Sequence, residues 1–133
     1  MRAFKPPEMF YRAMSFAERD GVLVSRQISV RGESFVTQDI AYSRQLAARH
    51  PEWYETLLEF ETRPGTRDAL VDAGARNQAA IVEREGLGHL PPIAKGQQDV
   101  VHVKGEGESI NFGLRPKSAH IFNDRIVGIE VIE

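Results

Sequence analysis

The stretch Asp99–Ile132, DVVHVKGEGESINFGLRPKSAHIFNDRIVGIEVI, decides the fold class of this 133-residue chain. Asp99 to Lys104 and Ser109 to Leu114 read as strands, and in the second Ile110, Phe112 and Leu114 fall on one face, because successive strand residues point to opposite sides. Ala119 to Asn123 and Arg125 to Ile132 read as two further strands. Glu106 and Glu108 stand among glycines between the first two runs, two residues apart.

Upstream of this block the pattern changes. Ala75 to Gln98 is the least regular part, with a helical turn around Ile81 to Glu85 and a Gly86–Pro92 loop, and reads as a mobile or substrate-facing loop. Trp53 to Thr62 carries the apolar residues of a core strand. Arg63-Pro64-Gly65-Thr66 forms a turn, after which Thr66 caps a helix running to Asp72 and stopping at Gly74. Ser34 to Thr37 is a strand. Gln38 to His50 places Ile40, Ala41, Leu46 and Ala47 on a helical stripe that ends before Pro51. Glu8 to Met14 is a strand entered from Pro6-Pro7. Ser15 and Glu18 have the capping-box spacing, which starts a helix ending at Gly21. Helices early and strands late give an α+β fold in one domain, residues 1–133.

With 41% hydrophobic and 27% charged residues the chain has the composition of an ordinary globular domain. Lys and Arg number 17 against 19 Asp and Glu, a balance that argues against tight sequence-independent nucleic-acid binding. The absence of cysteine excludes disulfides and thiolate metal sites. The opening residues Met1–Pro7 lack the apolar run of a signal peptide, and no segment approaches the ~18 apolar residues of a membrane span. Export therefore depends on something outside this chain, and no membrane partner is expected.

Taken one at a time, the polar residues have bland readings. Arg12 in an aromatic strand fits a snorkelling or ion-paired side chain. Thr37-Gln38-Asp39 fits the cap of the following helix. Glu106 and Glu108 fit solvated turn carboxylates. His50, His89, His102 and His120 show no metal-ligand spacing, so no metal is expected. No Walker or Rossmann glycine pattern is present.

Taken in order, several pieces resemble a known family. They are Phe10-Tyr11-Arg12-Ala13-Met14-Ser15, Glu33-Ser34-Phe35-Val36-Thr37, Glu59-Phe60 with Pro64-Gly65-Thr66-Arg67-Asp68-Ala69-Leu70, Lys104-Gly105-Glu106-Gly107 with Ile110-Asn111-Phe112-Gly113-Leu114, and Ile121-Phe122-Asn123. The pattern resembles the bacterial mono-ADP-ribosyltransferase toxins at the C-termini of Rhs and other polymorphic toxins, especially the TreTu type. The resemblance implies an ADP-ribosyltransferase-like fold of two small packed β-sheets with flanking short helices, holding NAD⁺ as substrate in a cleft. It implies Arg12, Thr37 and Glu106 as catalytic residues, and Arg12, Tyr11, Ser34 and Thr37 as NAD⁺-binding residues.

The chemistry accounts for these residue types. Cleaving the nicotinamide–ribose bond builds positive charge on the sugar, which a carboxylate stabilises. An arginine holds phosphate or ribose oxygens by paired hydrogen bonds, and a threonine hydroxyl braces the carboxylate or the ribose. The Glu-x-Glu spacing of many relatives would give the role to Glu108, and the match to the closer relatives gives it to Glu106.

The resemblance also implies an interbacterial-competition effector, secreted within a larger type VI secretion protein and active in the recipient cytoplasm. Elongation factor Tu would be the target, with translation blocked, and a cognate immunity protein would be acidic or insert a side chain into the cleft. Two other classes fit the residues. One is a metal-independent ribonuclease with His102 and His120 as base and acid and Lys104 or Arg12 stabilising charge. The other is a non-catalytic interaction module.

Overall fold

A computed structural model describes residues 5–133. Its elements are β1 (Glu8–Met14), α1 (Phe16–Ser25), β2 (Ser34–Thr37), α2 (Ile40–Arg49), β3 (Thr56–Thr62), α3 (Thr66–Asp72), β4 (Gly74–Arg76), α4 (Ala80–Arg84), β5 (Val101–Glu106), β6 (Ser109–Leu114), α5 (Ala119–Asn123) and β7 (Ile126–Val131). The fold is α+β: one seven-stranded mixed sheet in the order β4-β5-β6-β2-β1-β3-β7, with short helices around it. Among the described strands only β4 and β5 are parallel neighbours.

The expectation of two separate packed sheets is corrected by this pairing, which runs unbroken from β4 to β7. The sheet is nonetheless nearly divided. β1 and β2 share the single register pair Tyr11↔Thr37, whereas β1 and β3 are paired along their whole lengths. Across that seam the Arg12 Nη1 donates to the Phe35 carbonyl at 3.1 Å.

Side-chain alternation gives the sheet two different faces. One carries Phe10, Met14, Val36, Leu58, Phe60, Val103 and Phe112, which form the core with Val22 of α1, Leu70 of α3, Ile81 and Val82 of α4 and Phe122 of α5. Phe122 meets Phe10 and Phe60 edge-on, with ring centroids 5.3 and 5.7 Å apart. The opposite face carries Tyr11, Ala13, Phe35, Thr37, Leu57, Lys104, Glu106, Ser109 and Asn111, and α2 packs across it.

Several local expectations change for identifiable reasons. Ser15 accepts from the Glu18 amide at 3.1 Å as a cap should, but the Glu18 carboxylate turns to Arg12 rather than back to Ser15. Helix α1 continues through Gly21, because the next residue, Val22, is buried in the core, and it ends where Arg26 takes φ 61. Gly65, at φ 90, is the α3 cap instead of Thr66, and the Glu8 carboxylate accepts from the Gly65 and Arg67 amides at 2.6 and 2.7 Å.

Residues 75–92, within the stretch read as a mobile or substrate-facing loop, are largely packed into the fold. Ala75 and Arg76 belong to β4, Leu87 and Leu90 are buried, and the buried Arg76 donates to the carbonyls of Asn77, Ala79 and Gly88. Ala119–Asn123 is a helix, not a strand: Ala119 and Phe122, three apart, are both buried, a spacing that one helical turn serves. Asn123 then holds the α1–β2 loop through 2.9 Å hydrogen bonds to the amide and carbonyl of Ile28.

Candidate functional site

The site forms where the start of α2 meets the β5–β6 hairpin. Glu106 and Ser109 are the last register pair of that hairpin, and Gly107 takes the positive φ of 55 that its tight turn requires. Gly105 allows α4 to lie directly beneath: a Cβ there would stand 2.3 Å from Ile81 and 2.7 Å from Ala79.

Two side chains fasten α2 to β6. Thr37 Oγ1 donates to the Ile110 carbonyl at 3.0 Å and accepts from the Asp39 amide at 3.1 Å. Asp39 caps α2 by accepting from the Ala41 and Tyr42 amides, and its other oxygen accepts from the Ser109 hydroxyl. Tyr42, in the first turn so fixed, donates its hydroxyl to Glu106 Oε2. Burial first, and then the bond to Glu106, push the Tyr42 phenol up to about 12, so it stays a donor throughout the neutral range.

A cleft of about 410 Å³ opens here, lined by Asp39, Tyr42, Gln45, Arg49 and Glu106 among others. Its neighbour of about 390 Å³ shares Asp39, Glu108 and Ser109 and adds Gln38, Arg67 and Glu85. Each is the size of a small-molecule site. Of the charged groups on the walls, Asp39, Glu85, Glu106 and Glu108 are acidic, and Arg49 and Arg67 are the cations; Arg67 donates to Gln38 Oε1 at 3.1 Å and stacks over Phe112.

The residues singled out in the sequence are distributed unevenly around this cleft. Glu106 lines it and Thr37 lies on the same face, but the Thr37 hydroxyl is fully buried and braces β6, not the carboxylate. Glu108 sits in the turn, exposed, with its carboxyl held below the usual range by the Arg84 guanidinium at 3.0 Å. Tyr11 shares the cleft's face of the sheet on β1, where burial and a hydrogen bond to Glu59 raise its phenol. Ser34 is three residues from Thr37 and therefore faces the other side.

Arg12 is on that other side too. It is 9% exposed and gives Nε and Nη2 to Glu18 at 2.7 and 3.0 Å. Arg12 and Glu106 are thus not side by side: β1 and β5 have two strands between them, roughly 14 Å at ~4.8 Å per strand. They are linked through the seam, where the Arg12 guanidinium stands 5.8 Å from the centre of the Phe35 ring and that ring lies 6.0 Å from the Tyr42 ring.

His102 and His120 do not form an acid–base pair. His102 shares the face of Glu106 and gives Nδ1 to Glu33 at 2.7 Å, while His120 is exposed on α5, which packs on the opposite face. Sequence reading missed Tyr42, Asp39, Ser109 and Arg67 as cleft residues. The capping position of Asp39 was the available signal, because it places Tyr42 in the first helical turn.

A family model described as the PT3 toxin domain matches residues 6–131. No curated protein matches the chain.

Proposed function

The chain belongs to the PT3 toxin domain family, and from that premise we propose that it is a mono-ADP-ribosyltransferase toxin whose seam-divided sheet is an ADP-ribosyltransferase-like scaffold. The observation that carries the reading is the state of Glu106. One carboxylate oxygen is held by Tyr42, and among the described residues the other accepts no hydrogen bond at the edge of the cleft.

NAD⁺ is the substrate. The bond between the nicotinamide nitrogen and ribose C1′ breaks, and its electron pair leaves with nicotinamide. A lone pair on the target side chain forms the new bond to C1′, and the proton it displaces passes to water. The free oxygen of Glu106 stabilises the positive charge that develops on the ribose and orients the acceptor. The surrounding carboxylates of Asp39, Glu85 and Glu108 favour the cationic nicotinamide end of the substrate.

Arg12 does not reach this cleft: it lies on the opposite face of the sheet, where Glu18 and the Phe35 carbonyl take three of its five N–H groups, so its part is to hold the seam. Tyr11 and Thr37 stand on the cleft's face of the sheet, with Thr37 bracing β6, and Ser34, on the far face, belongs to β2. The partners that go with this reading are elongation factor Tu as acceptor, within the cytoplasm of a recipient cell, and an immunity protein that fills the cleft.

Purified protein incubated with labelled NAD⁺ and bacterial lysate is expected to label a discrete band, which mass spectrometry identifies. Glu106→Gln keeps shape and removes charge, so transfer should fall roughly 10²–10³-fold with the fold and NAD⁺ binding retained. Glu108→Gln should be milder, since its carboxylate already neutralises Arg84. Neither labelled protein nor released nicotinamide from the wild-type domain would sink the proposal.

A further inference from the structure

Among the described residues Tyr42 is the one whose side chain hydrogen-bonds to the Glu106 carboxylate, and its own place is fixed by several neighbours. Asp39 accepts from its amide, Ser109 fastens Asp39 to β6, and Phe35 meets its ring edge-on. This chain of contacts runs in one direction, from the α2 cap to the phenol to the carboxylate.

We propose that Tyr42 is the positioning residue of Glu106: its hydroxyl holds one carboxylate oxygen so that the other faces the cleft. The inference rests on the transferase reading for its catalytic consequence, and on geometry alone for the contact itself. A carboxylate on an exposed strand end has several rotamers, and most would direct it to solvent beyond Gly107. A donor that cannot ionise in the neutral range and stands on a capped helix selects one of them. The developing charge on the ribose then meets a carboxylate already in place, and no reorganisation accompanies the reaction.

The test is Tyr42→Phe in the full chain, which removes one oxygen and keeps the ring against Phe35. The expected result is a fall of roughly tenfold in kcat for NAD⁺ cleavage with KM changed less than about threefold, because the lost contact acts on the transition state. A structural role alone would lower the melting temperature and leave kcat per folded molecule unchanged, and that result overturns the proposal.

A second measurement needs no turnover. With ¹³Cζ-labelled tyrosine, the Tyr42 resonance, identified by its loss in Tyr42→Phe, should titrate at about 12 in the wild type and at lower pH in Glu106→Gln. An unchanged midpoint overturns the contact, whatever the enzyme does. If the wild type shows no NAD⁺ cleavage while the midpoint moves, the transferase reading fails and the positioning of Glu106 by Tyr42 stands.

Discussion

His102 shows how little a residue's type says about its task. Its side chain is 10% exposed, Nδ1 bonds to Glu33, and Nε2 is buried with no partner among the described residues. Glu33 also receives Lys104 at 2.7 Å, with Arg115 at 3.9 Å, and it lies against Gly113, where a Cβ would come within 2.7 Å of its carboxyl carbon. Burial, only partly offset by Glu33, lowers the His102 value below its ordinary 6.5. The unfolded chain therefore binds this proton more readily than the folded one. The contribution to stability is complete above about 6.5 and is lost as pH falls toward the depressed folded value. The melting temperature should drop between pH 7 and 5.5, and His102→Asn, which keeps a donor for Glu33, should flatten that part of the curve. An unchanged slope in a pH series of thermal melts would show that His102 is not the group responsible. The same lesson holds for Glu106 and Glu108: two residues apart in sequence, one ends a strand beside Tyr42 and the other occupies a turn against Arg84.

At the scale of elements, sequence signals worked where the chain acts locally and failed where a distant residue takes over. The strand of Glu8–Met14, the strand of Ser34–Thr37 and the helix of Thr66–Asp72 lie where patterning places them. The cap of α3 does not. A turn built on Pro64 and Gly65 leaves the first amides of the helix free, and a carboxylate from β1 serves them, which combines hydrogen bonding with a favourable charge at the helix start. Glu8→Ala should therefore cost about 1 kcal/mol, read as a shift in urea midpoint, although Glu8 lies 57 residues before Gly65. Glu8→Gln should recover part of it, since the amide oxygen still accepts. A loss no greater than that of an ordinary surface substitution would remove the capping role. The α5 segment failed for a different reason. Ala-His-Ile-Phe-Asn satisfies both a strand and a single helical turn, and only the slot between Phe10 and Phe60 selects the turn.

Across the whole molecule the seam at Tyr11↔Thr37 is the organising feature. Arg12 crosses it: the side chain leaves β1, ties Glu18 of α1 and takes the Phe35 carbonyl of β2. Arg12→Ala removes the bond to that carbonyl and leaves Glu18 without its ion-pair partner. Removing one member of a buried pair costs more than a surface ion pair, but Glu18 is 31% exposed and water recovers part of the loss, so about 2 kcal/mol is expected in denaturant unfolding. A loss below about 0.5 kcal/mol would mean that the two halves of the sheet hold together without it. Composition, periodicity and turn residues by themselves determined that this chain is an α+β domain with a strand-rich C-terminal third, because local pattern is set by neighbours a few positions away; Arg12, Thr37 and Glu106 were set apart by the family resemblance alone. Tertiary structure alone decided that the strands join in one sheet, that Thr37 and Asp39 staple α2 to β6, and that Tyr42 rather than Thr37 reaches Glu106. Those contacts join residues 64 to 73 positions apart, and a hydrogen bond at that separation leaves no trace in the spacing of either partner.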